Sequence, residues 1–193
     1  MQPLGQNSGN NNPGRGMKAF AIAAGLALAA AVAFVVNAIF AAQREAEPGF
    51  IGPGVFIADL NLALELLLIA GLTFGAWLAR RGRIEAHRVN QTIWVLVNAA
   101  LVVFMMFGSL ADVKLAAPAD LLELRVGITW LHAAIGTLTV AAGLWLVLQM
   151  NDVLPKAIHV RGWKTLMRLT LAGYWAVALL GLATYYLWYA AAQ

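Results

Sequence analysis

The chain has 193 residues, of which 62% are hydrophobic and 11% charged, and it contains no Cys. A soluble domain carries about 25% charged residues, so this composition, with a mean hydropathy of +0.75, defines an integral membrane protein and excludes a soluble enzyme, a disordered chain and a nucleic-acid binder. The pI near 9.8 reflects basic residues in short loops beside apolar runs, and the lack of Cys removes disulfides, thiolate metal sites, Cys nucleophiles and covalent c-type haem attachment.

Residues 1–16 are rich in Gly, Asn and Gln. They have no apolar face to bury, which predicts a disordered tail or a docking arm. Five charge-poor runs follow, at 19–41, 56–79, 91–111, 127–150 and 169–190. Each is about as long as the ~20 residues a helix needs to cross a bilayer. None shows the two-residue alternation of a barrel strand, and lipid demands that every backbone group be paired within the segment. The predicted fold is therefore all-α, a polytopic bundle of five transmembrane helices. Its predicted parts are the tail 1–16, a first transmembrane helix with an external loop over 17–55, and a four-helix transmembrane core over 56–193.

The first run exceeds the ~7–15 apolar residues of a signal-peptide core. It is followed by Phe40-Ala41-Ala42-Gln43, which gives no clean cleavage site, so it reads as an uncleaved anchor. Orientation follows from Lys and Arg. Arg15, Lys18, Arg80, Arg81, Arg83, Arg88, Lys156, Arg161, Lys164 and Arg168 fall on one side, and Arg44, Lys114 and Arg125 on the other. The N-terminus is expected inside, and the acidic loops 42–55 and 112–126 outside.

Ionisable groups within spans are costly and need a reason. The second run carries Asp59, near enough to its edge to be solvated, and Asn61 and Glu65, which share one helix face. At 1.5 Å per residue Glu65 lies ~13 Å inside. It reads either as a hydrogen-bonded neutral side chain or as a carboxylate that carries protons or supports a ligand. His132, in the fourth run, lies at similar depth and shares a stripe with Thr129, Gly136, Thr139 and Gly143. Packing and ligation remain open for it. Glu65 and His132 are expected to face inward, within hydrogen-bond reach of each other or of a shared water or ligand. His87, Gln91 and Asn98 form a polar stripe leading into the third run, and His159 precedes the fifth. Each of these two histidines alone reads as a solvated loop residue; together they are a candidate axial-ligand couple. Gly173 and Gly181 read as a packing face, and Tyr185 and Tyr186 as interfacial belt residues.

Four stretches carry a family resemblance: Asp59-Leu-Asn-Leu-Ala-Leu-Glu65, Ile84-Glu-Ala-His-Arg88, Leu131-His-Ala-Ala-Ile-Gly136 and Ile158-His-Val-Arg161. In order and spacing, residues 58–190 resemble the bacterial membrane proteins of the domain-of-unknown-function 420 family, which includes maturation factors of aa3-type cytochrome oxidases. Two positions depart from that pattern: no His occurs within 100–111, and Glu65 stands where the family has Asn. The resemblance implies an assembly factor or accessory subunit of a respiratory or photosynthetic electron-transfer complex in the bacterial inner membrane. Its partners would be the lipid bilayer and other membrane subunits, with no nucleic acid. Two alternatives stand beside it: a haem-b redox protein ligated by His87 and His159, and a purely structural subunit. The candidate cofactor ligands are His87, His132 and His159, for haem b or copper. The candidate buried polar site is Glu65, Asn61 and His132.

Overall fold

The computed structural model describes residues 13–106 and 118–191. Most of the predicted tail, together with Asp112 and Lys114, lies outside the described residues. Among the described residues, five helices are long and apolar enough to cross a membrane. They are α1 (Pro13–Ala41), α2 (Phe56–Arg80), α3 (Ile84–Leu101), α4 (Leu124–Met150) and α5 (Trp163–Tyr185). α3 runs on through a π-helical turn, Val102–Met106, and α5 through another, Tyr186–Ala190. No strand occurs among the described residues; an isolated bridge joins Pro48 to Val55.

Three helices begin before the charge-free runs do: α3 at Ile84, α4 at Leu124 and α5 at Trp163. The hydropathy run measures only the stretch that tolerates lipid, whereas backbone pairing carries a helix on through the charged interface. α1 likewise starts at Pro13, since proline suits a first turn whose N–H groups lack helical partners.

α2, α3, α4 and α5 close a ring, each packed on two others, and α1 lies outside it against α3. Leu68, Ile69, Leu72, Val95, Leu101, Met105, Val147 and Tyr174 form the common core. In a bilayer, lipid tails would be as apolar as these side chains, so close packing and polar bonds would have to hold the helices together. Glycines provide the approach. Gly25 of α1 lies on α3 so tightly that a Cβ there would sit 3.3 Å from the Ile93 Cα, and a Cβ at Gly173 of α5 would sit 2.6 Å from the Thr139 hydroxyl of α4. Between α2 and α3, Gly71 faces the Trp94 ring and Gly75 faces Asn90 and Gln91. There α3 donates a row of side-chain hydrogen bonds to main-chain carbonyls of α2: Asn90 Nδ2 to Gly71 O (2.9 Å), Gln91 Nε2 to Leu72 O (3.0 Å) and His87 Nδ1 to Gly75 O (2.7 Å).

The loop between α1 and α2 is tied down by Asp59. Asp59 is fully buried rather than solvated. Its carboxylate accepts from the Ile51 and Gly52 amides and from the Tyr185 hydroxyl, and Gly54 N–H donates to that same hydroxyl at 3.2 Å. Phe56 and Ile57, whose amides open α2, donate to Glu47 O (2.7 Å) and Glu45 O (3.3 Å). The loop thus supplies acceptors for donors that a helix start leaves unpaired. Tyr185, read from the sequence as a belt residue, is instead part of this clamp. At the opposite end, Gln149 exchanges two hydrogen bonds with the Val160 backbone (3.2 and 2.9 Å), and Lys18 pairs with Asp152. The α1 start and the α2–α3 and α4–α5 loops therefore share one basic end, and the Asp59 clamp marks the other, acidic-loop end.

Candidate functional site

Among the described residues, two cavities inside the ring take in predicted site residues. The smaller, of about 60 Å³, is on the acidic-loop side and is lined by Asn61 and Glu65 of α2, Asn98 of α3, His132 of α4 and Tyr174 and Val177 of α5. That volume holds a few waters at ~10–15 Å³ each. Three sequence-predicted residues, Asn61, Glu65 and His132, meet here. Glu65 enters the ring because α5 has no side chain at Gly181; a Cβ there would run into the Glu65 carboxylate. Gly181 is thus the recess for an acidic group, beyond the packing role read from the sequence. The π-helical turn of α3 places Val102 and Met106 on the cavity wall, and such turns occur often at functional sites.

Glu65 and His132 share the cavity, but no hydrogen bond joins them among the described residues. His132 Nδ1 lies 3.1 Å from Val177 O instead. A carbonyl only accepts, so Nδ1 carries the proton, and in the neutral ring Nε2 keeps its lone pair. A carboxyl group and an imidazole therefore face one cavity, backed by the Asn61 and Asn98 amides. That arrangement suits the holding of water, a proton or a small group with donor and acceptor sites.

The larger cavity, of about 600 Å³, lies toward the basic end. His87 lines it, and its Nδ1 is held by Gly75 O. His159 is not part of either lining, and its Nε2 donates to Leu154 O at 3.1 Å. The fold therefore seats the two members of the predicted axial couple in different settings. His87 is buried in the α2–α3 seam, not solvated in a loop. Tyr174 lines both cavities and forms the wall between them. Its buried hydroxyl lies beside the Asn98 side chain and near Gly143 of α4, where a Cβ would sit 2.7 Å away. Tyr174 and the basic rim of the larger cavity were not singled out from the sequence. The rim was in view only as loop charge, and nothing local marks Tyr174 off from other aromatic residues of a span.

Among the described residues, no group of three or more His, Cys, Asp or Glu side chains has metal-binding spacing. A metal at the smaller cavity would find two ligand-type side chains, Glu65 and His132. Comparison with protein-family models, with curated proteins and with solved structures finds no match to this chain.

Proposed function

We propose that the chain is an accessory subunit or assembly factor of a membrane electron-transfer complex of the cytochrome-oxidase type, acting with partner subunits and not as a stand-alone enzyme. The observation that carries this reading is the convergence of Glu65 and His132 on one cavity inside the helix ring. They come from two of the four stretches that resemble the domain-of-unknown-function 420 family. A third stretch seats His87 at the second cavity. His87 and His132 are each oriented through Nδ1 by a main-chain carbonyl, an arrangement that sets an imidazole to hold or hand on a group through its other nitrogen. α1, seated outside the ring on α3, leaves Phe20 and Phe34 exposed for lipid or a partner helix.

The same proposal places the chain in a bacterial inner membrane with its basic end and N-terminus in the cytoplasm, supported by the gathering of ten of the thirteen Lys and Arg at that end. Reporter fusions at residues 50, 85, 118 and 157 should read external, cytoplasmic, external and cytoplasmic. Any inverted fusion overturns the orientation.

The functional test is deletion in the source cell. Membranes should lose the a-type haem band and oxidase activity while oxidase transcripts persist. The wild-type chain should restore both and Glu65→Leu should not. Fully assembled oxidase in the deletion strain overturns the proposal. The haem-b alternative has less support, because His87 and His159 do not line a common cavity. A reduced α-band in the purified protein would reverse that order.

A further inference from the structure

We propose that the larger cavity is a binding site for an acidic phospholipid, with its phosphate at the basic rim and one acyl chain between α2, α3, α4 and α5. Charge comes first. Arg80, Arg88, Lys164 and Arg168 all line the cavity, and no acidic side chain does. Four cations around one space repel one another unless an anion joins them. Among the described residues, the one ion pair these four make is Arg88 Nη2 with Glu85 Oε1 at 2.6 Å, and the Glu85 side chain is more than half exposed.

Unpaired donors point the same way. Arg88 Nε and NH1 are buried with no hydrogen-bond partner. A buried charged donor without an acceptor is costly, and a phosphate meets a guanidinium with two parallel bonds. The Thr170 hydroxyl lines the cavity, is also without a partner, and its residue is only 8% exposed. A threonine inside a helix usually bonds the carbonyl one turn back. Thr170 does not, which leaves its donor for an oxygen beyond the phosphate, such as an ester carbonyl.

Below the rim the lining turns apolar, through Leu72, Val95, Leu146 and Leu171, as far as the Tyr174 wall. The volume lies within the ~300–1,000 Å³ of small-molecule sites. A free anion leaves that apolar depth unexplained, and a neutral lipid leaves the four cations unexplained. Basic pockets between transmembrane helices at a membrane face are where acidic headgroups bind.

The test uses the full chain, delipidated in detergent. It measures retained adducts by native mass spectrometry and thermal stability with phosphatidylglycerol, with phosphatidylcholine of the same chains, and with inorganic phosphate. Phosphatidylglycerol should bind at least tenfold more tightly than phosphatidylcholine, and inorganic phosphate should give no stabilisation at matched concentration. Arg88→Gln and Arg168→Gln should each cut the preference for the acidic lipid about fivefold, in line with the ~1 kcal/mol a basic residue contributes at an anionic surface. Thr170→Val should weaken both lipids while leaving their ratio unchanged. Equal binding of the two lipids overturns the proposal. So does stabilisation by phosphate alone, an undiminished preference in both arginine variants, or a stoichiometric haem band that excludes phosphatidylglycerol.

Discussion

Asp59 and Glu65 lie less than two turns apart on α2, and both are carboxyl groups among helices. Asp59 is fully buried and accepts from two loop amides and one tyrosine hydroxyl. Glu65 is half-buried and has a small cavity in front of it, with a glycine behind it. A carboxyl group whose two oxygens are both met by fixed donors is part of the scaffold; one that faces a cavity can exchange its partner. The same division sorts the histidines and arginines, and it yields substitutions of graded effect.

The largest effect should come from Asp59→Ala. It strands the Ile51 and Gly52 amides and the Tyr185 hydroxyl, each at about 1–3 kcal/mol. Thermal unfolding in detergent should show a loss of about 3 kcal/mol or more, and Tyr185→Phe a loss of about 1–3 kcal/mol. An Asp59→Ala protein within about 0.5 kcal/mol of wild type would remove Asp59 from the scaffold class.

The α2–α3 seam tests the class at medium scale. Side-chain hydrogen bonds between transmembrane helices average about 0.6 kcal/mol and reach about 1.7. Asn90→Ala and Gln91→Ala should each fall in that range. His87→Gln keeps a donor near Gly75 O and should cost less than His87→Ala. A spectral or metal-binding change with His87→Gln at unchanged stability would move His87 to the exchangeable class.

The number and order of the helices were legible because crossing a bilayer demands about twenty residues of paired backbone with few charges or none. The inward faces of Glu65 and His132 were legible from the cost of placing them in lipid. Their partners were not. Which carbonyl a histidine meets depends on the rotation and depth of the neighbouring helix, and His132 met Val177 O in place of Glu65. Asp59 shows the same limit. Its position near a span edge argued for water, but the 49–54 loop, rich in glycine, folds over it, and no helical period marks such a return.

Glu65 should give a smaller stability effect. With no bond between Glu65 and His132, the double-mutant cycle of Glu65→Gln and His132→Ala should show coupling below about 0.5 kcal/mol. Coupling of 1–3 kcal/mol would place them in one bonded network. Gly181→Val, which pushes a side chain into the space of the Glu65 carboxylate, should disturb function more than Glu65→Gln disturbs stability. The split between those two readouts separates an exchangeable group from a structural one.

A similarly small effect belongs to Lys18 and Asp152, which join the start of α1 to the α4–α5 loop. The Lys18 ammonium holds the Asp152 carboxyl below its ordinary value of 3.8. A carboxyl depressed on folding contributes stability above its unfolded pKa and loses that contribution as pH falls through the folded one. The Asp152 side chain is 67% exposed, so the pair contributes only about 0–1 kcal/mol at neutral pH. Asp152 also has a φ of +57°, a conformation that Asn tolerates, so Asp152→Asn removes the charge without straining the turn. The stability gap between wild type and Asp152→Asn should be under about 1 kcal/mol at pH 7, shrink in high salt as screening shortens to ~3 Å, and close as pH falls below the carboxylate range. A gap that widens with acid would show that the ion pair is not what α1 gains from this contact, and that packing on α3 alone holds it to the ring.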